Sequence, residues 1–263
     1  MARQLDPKAA LETARRVIRL EAEALEEIAC RLTEDFSRAV DLILHCKGRV
    51  VVTGMGKSGQ ICRKIAATMS STGTSAFFLH AGEAVHGDLG MFARGDVCIA
   101  VSNSGTTQEV LSLLPAVKRL SLPVIAITGG IESALAKAAD VVLDARVRLE
   151  ACPMNLAPTS STTATLALGD ALAVAVLEAK GFTDRDFAML HPGGALGRRL
   201  LRVEEVMHPR AQVPLVATDA SLAETLRAVT DGGLGTVGVI EAGDNGMLVG
   251  VITDGDVRRA VLR

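Results

Sequence analysis

Residues 48–73 read GRVVVTGMGKSGQICRKIAATMSSTG, and their succession of segments decides the fold. Val50, Val51, Val52 and Thr53 form a short apolar, β-branched run, the mark of a strand buried on both faces. A glycine-rich turn follows at Gly54, Gly56 and Gly59, then a helical pattern through Met69. The same unit recurs downstream. Residues 75–79 (SAFFL), 97–101 (VCIAV), 123–128 (PVIAIT) and 140–145 (DVVLDA) are further strand candidates with helical patterns among them. Alternating strand and helix predicts an α/β fold, a doubly wound parallel five-stranded sheet.

Upstream, Leu11, Ala14, Val17, Ile18, Leu25 and Ile28 recur at helical spacing, which predicts helix from about residue 7 to 46. After Gly181 the composition shifts. FTDRDFAMLHPGGALGRRLL reads as a linker with a short helix. A smaller α+β module follows Val206: a helix in SLAETLRAVTDGGLG, two strands in TVGVIE and MLVGVITD joined by a GDNG turn, and a last helix in GDVRRAVLR. The chain divides into a helical segment 1–38, a main domain 39–182, a linker 183–205 and a small module 206–263.

Composition narrows the function. The formal net charge is -2, with no long basic run, which argues against nucleic acid as a partner. Trp and Tyr are absent, so no aromatic platform for bases is present. The N-terminus is charged and amphipathic, unlike a secretory signal. The most apolar stretch, TATLALGDALAVAVLEA, contains Asp170 and Glu178 and reads as a buried helix, not a membrane span. Cys30, Cys46, Cys62, Cys98 and Cys152 are odd in number and scattered, which fits a reducing cytoplasm.

Two strands end in small-residue loops that open helices: TGMGKSG at 53–59 and SNSGTT at 102–107. In an open parallel sheet ligands bind beyond the carboxyl ends of the strands, and free N–H groups at a helix start favour an anion. Hydroxyls of Ser58, Ser102, Ser104 and Thr107 would add donors; ordinary capping by Ser and Thr is the competing explanation. GMGKSG lacks P-loop and dinucleotide-fingerprint spacing, so a small phosphorylated molecule is the better ligand.

GMGKSG and SNSGTT, with HAGEAVHGDLG (80–90), EACPMNLAPTSST (150–162) and HPGGALG (191–197), resemble the sugar isomerase (SIS) domain family, and closely its bacterial arabinose-5-phosphate isomerases. ITDGDVRR (252–259) looks like a CBS module. The resemblance implies interconversion of D-arabinose 5-phosphate and D-ribulose 5-phosphate through an enediol, for synthesis of the Kdo sugar of lipopolysaccharide. It also implies a cytoplasmic homotetramer. CBS modules work in pairs and contact nucleotides near Thr253 and Asp256. One module is present here, so a nucleotide or nucleotide-sugar effector would need a second copy from another subunit. A sugar-phosphate-binding regulator, or an isomerase of another phosphosugar, is the alternative.

Such chemistry needs a phosphate holder, a ring opener, a base and a group to stabilise the enediolate. Glu150 is the expected base, shuttling a proton between C1 and C2. Glu109, in the first turn after SNSGTT, either assists or only complements the helix dipole. Lys57 would neutralise phosphate or enediolate charge, and His191 would open the ring, in its own subunit's site or a neighbour's. The resemblance suggests sugar contacts from His80 and His86, and Gly73, Thr74 and Asn103 complete the substrate-binding set. No metal is required for an enediol route; an inhibitory zinc at His80 is implied by resemblance, and no HExxH pattern supports one. Thr106 and Ala81 stand where the family commonly has Glu and Pro.

Overall fold

A computed structural model describes residues 6–191, 202–241 and 246–262. The chain forms two compact units, Met1–Leu200 and Leu201–Arg263. The GDNG turn lies largely outside the described residues, as does all of HPGGALG after His191.

In the first unit the strands are β1 (Val50–Gly54), β2 (Ala76–His80), β3 (Val97–Val101), β4 (Val124–Thr128) and β5 (Val141–Asp144). They form one parallel sheet in the order β2-β1-β3-β4-β5. Every residue of β1, β3 and β4 is buried, as expected of strands covered on both faces. The helices are α1 (Pro7–Arg31), α2 (Glu34–Leu44), α3 (Gly56–Ser71), α4 (Ala81–Ala84), α5 (Gln108–Arg119), α6 (Ala134–Ala138), α7 (Ser160–Ala179) and α8 (Asp184–Leu190). One core joins Val50, Val52, Ile99 and Ile125 to α1, α2, α3 and α7 through Ile28, Ile43, Ile65 and Leu172. The opposite face joins Val51, Cys98 and Val124 to α4, α5 and α6 through Ala84, Leu113 and Leu135.

The single helix expected over 7–46 is two. Leu32 leaves helical geometry, and Thr33 restarts the chain by accepting a bond from the Asp35 N–H. α7 is long and apolar enough to cross a membrane by length and composition alone. Here it is a core helix. Ala164, Leu168, Leu172 and Val176 are buried, and Asp170 pairs with Lys64 of α3.

α3 and α7 lie side by side and run the same way. Gly169 seats against Ile65, each nine residues into its helix. Near the far ends, the Lys180 ammonium reaches Gly73 O (3.1 Å) and Thr74 Oγ1 (2.9 Å). The N-termini of α3 and α7 therefore both lie toward the carboxyl edge of the sheet, each nine residues before the contact of Gly169 with Ile65.

The second unit contains α9 (Val203–Val206), β6 (Leu215–Ala217), α10 (Leu222–Gly232), β7 (Thr236–Ile240), β8 (Leu248–Thr253) and α11 (Asp254–Val261). β6 pairs parallel with β7, and β7 antiparallel with β8. β6, only three residues long and directly after Pro214, had no signal strong enough to be expected. Leu248, Val249 and Val251 of β8 are exposed.

Candidate active site

The strand order changes direction between β1 and β3, and such switch points open a crevice at the carboxyl edge. The two loops singled out in the sequence are the ones that flank it, because Gly54 is in register with both Val101 and His80. Gly54 is required there. A Cβ on it would stand 2.9 Å from Cys62 Sγ and 3.2 Å from Val101 O.

Capping separates the two explanations of these loops. Side-chain N-caps hold α1, α2, α6 and α8 through Asp6, Thr33, Ser133 and Thr183. Neither α3 nor α5 has one. The hydroxyls near α5 are turned on one another instead. Ser102 Oγ lies 2.8 Å from Thr107 Oγ1 and accepts from the Gly105 N–H at 3.0 Å; Ser104 Oγ accepts from Thr106 N and Oγ1. Two helix starts at one crevice thus keep N–H groups without a side-chain partner, the arrangement that receives an anion.

This places the predicted donors unequally. Ser104 and Asn103 are exposed on the loop, and Ser58 is half-buried at the start of α3. Ser102 is buried, and its hydroxyl is engaged within the loop. The Asn103 carbonyl accepts from Gly129 N (2.9 Å) and Gly130 N (3.1 Å), tying the cradle to the turn after β4. Lys57 is exposed and makes no ion pair among the described residues. Glu109 is half-buried in the first turn of α5. Ser104→Ala is expected to raise KM for a sugar phosphate about threefold with Tm unchanged, since Ser104 is exposed. Titration of binding beside a melting curve checks this.

Glu150 follows β5 in the chain, but its carboxylate returns to the start of α7. Oε2 accepts from Thr159 N (2.8 Å), Thr159 Oγ1 (3.0 Å) and Ser161 N (3.2 Å), and Oε1 accepts from the Ser161 hydroxyl. Partial burial works to raise its pKa, but the Ser161 and Thr159 donors together outweigh burial and hold it below the usual glutamate value. Its backbone is pinned as well. Glu150 N donates to Asn155 Oδ1 (2.7 Å) and Ala151 N to Thr159 Oγ1 (2.8 Å). Asn155, Thr159 and Ser161 belong to the EACPMNLAPTSST run, yet their roles were not read from it. The usable signal was a Ser/Thr-rich helix start without an acidic residue in its first turn.

His80 ends β2, and its ring lies over Gly82 beside Met55 of the first loop. Four buried side-chain polar atoms lack a hydrogen-bond partner among the described residues. Three of them, Thr53 Oγ1, His80 Nδ1 and Ser160 Oγ, belong to residues at this carboxyl edge. Unsatisfied buried groups are uncommon, and their gathering here marks a polar site. His86 is exposed in the turn after α4. No group of three or more His, Cys, Asp or Glu able to hold a metal forms among the described residues. A lone imidazole does not fit the zinc implied at His80.

Three of the expected residues lie apart from the cradle within one chain. Gly73 and Thr74 precede β2 and lie at the amino edge, held by Lys180, with Gly73 against the Phe182 ring. Within one chain they do not join the cradle. His191 ends α8, stacked on Phe187 at 3.9 Å, and no described contact joins it to the loops. Its Nδ1 lies 2.9 Å from Phe187 O. A carbonyl only accepts, so Nδ1 carries the hydrogen and Nε2 of the neutral ring keeps its lone pair.

In the second unit, Thr253 and Asp256 form a capping box at the start of α11. Bonds from the Thr253 hydroxyl and N–H, then from Arg259, hold the Asp256 carboxyl down at about 2.

Residues 43–175 match the SIS domain family and residues 203–263 the CBS domain family; the chain belongs to the SIS domain family, with a CBS domain behind its SIS domain. Within that family its relatives are arabinose 5-phosphate isomerases. The chain is 56% identical over 254 residues to arabinose 5-phosphate isomerase KdsD of Pseudomonas aeruginosa, covering 96% of this chain and 77% of that one. KdsD of Escherichia coli K12 is 53% identical over 249 residues, covering 94% and 75%. A solved structure of an E. coli CFT073 protein in complex with arabinose 5-phosphate matches with TM-score 0.69 and 41% identity, over 72% of this chain and 100% of that one.

Proposed function

We propose that the protein is an aldose–ketose isomerase interconverting D-arabinose 5-phosphate and D-ribulose 5-phosphate, supplying Kdo for lipopolysaccharide. The observation that carries this reading is the pair of helix starts without side-chain caps at the β1/β3 crevice, with an ionised carboxylate fixed at the start of α7. The phosphate sits on the N–H groups of α3 and α5, with Lys57 adding a positive charge. That anchors C5, and C1 and C2 extend toward Glu150. The rigid carboxylate takes the C2 proton of the aldose, and the enediolate regains a proton at C1. Glu109 is the second carboxylate within the cradle. His191 accepts or returns the hydroxyl proton during ring opening through Nε2, in the site of a neighbouring subunit. All these roles fall to groups of the protein itself, main-chain N–H groups for the phosphate and side chains for the proton transfers.

The assembly we propose is a cytoplasmic homotetramer. Unpaired cysteines support a reducing compartment. The exposed apolar residues of β8 support pairing of CBS domains between subunits, with a nucleotide or nucleotide sugar as effector.

An NMR time course of the protein with D-arabinose 5-phosphate in D2O tests the central reading. Ribulose 5-phosphate should appear, with deuterium entering from solvent at the exchanging carbon. Saturable binding without product would overturn the isomerase reading in favour of a sugar-phosphate sensor.

A further inference from the structure

The Glu150 segment is braced from outside the matched SIS region. α1 precedes residue 43, where the family match begins. Yet Arg16 Nη1 of α1 donates to Ala151 O at 2.9 Å, across 135 residues of chain. One turn further along α1, Glu21 Oε2 accepts from Thr163 Oγ1 at 3.1 Å, across 142 residues. Arg148 and Glu23 face each other at 3.6 Å beside them. The two closer contacts bracket the segment that matters. Ala151 adjoins Glu150, and Thr163 lies in the first turn of α7, whose N–H groups hold the Glu150 carboxylate.

We infer that Arg16 and Glu21 are positioning residues, and that α1 is the arm holding the Glu150 carboxylate at its working place. This rests on Glu150 as the base. The physical reason is leverage. The chain from Ala145 to Thr159 crosses back from β5 without a strand or helix, so its backbone beside Glu150 belongs to a loop, while the carboxylate reaches the start of α7. Guanidinium and carboxylate groups from a 25-residue helix fix that loop to a rigid body. Misplacing a catalytic group slightly is costly in rate, while substrate anchored at another point still binds.

Arg16→Met and Thr163→Val break the two contacts separately without removing any group that touches substrate. Each should lower kcat about tenfold and leave KM within about twofold, in line with losses of supporting contacts around reacting groups. Arg16→Lys, which restores a donor, should recover most of the rate. The deciding measurement repeats Arg16→Met in a Glu150→Gln background. If Arg16 acts through Glu150, the residual rate of Glu150→Gln does not fall further. A full tenfold additional loss in that background overturns the inference, as does an unchanged kcat in both single variants. If Glu150→Gln itself retains wild-type turnover, the base assignment fails first, and the result is distinguishable from a failure of the brace.

Discussion

Glu150→Gln should lower kcat about 1000-fold while the protein still binds D-arabinose 5-phosphate with near wild-type affinity, because a general base contributes about two to four orders of magnitude. In the proposed site the phosphate is held at α3 and α5, and the Glu150 carboxylate bonds to neither. The variant should also lose about 1 kcal/mol of stability. The amide oxygen can replace the carboxylate oxygen facing Thr159 N and Ser161 N, but the neutral group answers the start of α7 less well. The wild type carries a pH signature of the same bond set. The folded pKa of Glu150 lies below its unfolded value, so this contribution is present above the ordinary glutamate range and is lost as pH falls through the folded value. Melting curves across the acid range should therefore show a smaller decline in Glu150→Gln than in wild type. Wild-type turnover in Glu150→Gln would transfer the base role to Glu109.

The second large effect is expected at Gly105. Its φ is +67°, and an added Cβ would meet Ser133 Oγ at 1.9 Å and Thr128 Oγ1 at 3.0 Å. Ser133 is not free to give way, because its hydroxyl caps α6 by accepting from Ala136 N. Gly105→Ala should cost about 2–3 kcal/mol, combining left-handed strain with the clash. At roughly 2–4 °C per kcal/mol for a chain of this size, Tm should fall by about 5–10 °C. The cradle distorts with it, and KM for the sugar phosphate should rise at least about tenfold. Adding Ser133→Gly should recover part of the stability by removing the clash, with the backbone strain remaining. Equal stability in Gly105→Ala and wild type would contradict the packing described.

What was legible in the sequence was what local patterning controls. Val50–Thr53 and the four later apolar runs appear as the strands of one parallel sheet, since a strand buried on both faces leaves a continuous apolar signature. The loops at 53–59 and 102–107 were visible because glycine and small hydroxyl residues punctuate the pattern. Less visible were bonds made across the chain. The bonds that join the Ser102 hydroxyl to Thr107 Oγ1 and Gly105 N are of this kind. The placement of Gly73 and Thr74 before β2, at the opposite edge from the cradle within one chain, follows from strand direction and has no local signal. The break at Leu32 was hidden by helical periodicity continuing on both sides of it. Glu150 was found as a chemical group, whereas its four donors, nine to eleven residues away, came only from the fold.

The contact between Gly169 and Ile65 has a consequence for reach. A Cβ at residue 169 would fall 2.4 Å from Ile65, so α7 sits as near to α3 as a bare backbone permits. In the proposed reaction the start of α3 receives the phosphate end of the substrate, and the start of α7 holds the carboxylate proposed to work on the other end. Their separation is thus gauged at a point about 13 Å beneath the crevice, at 1.5 Å per helical residue. Under the proposed reading, the span between phosphate holder and base then depends on the thickness of one residue that never meets the sugar.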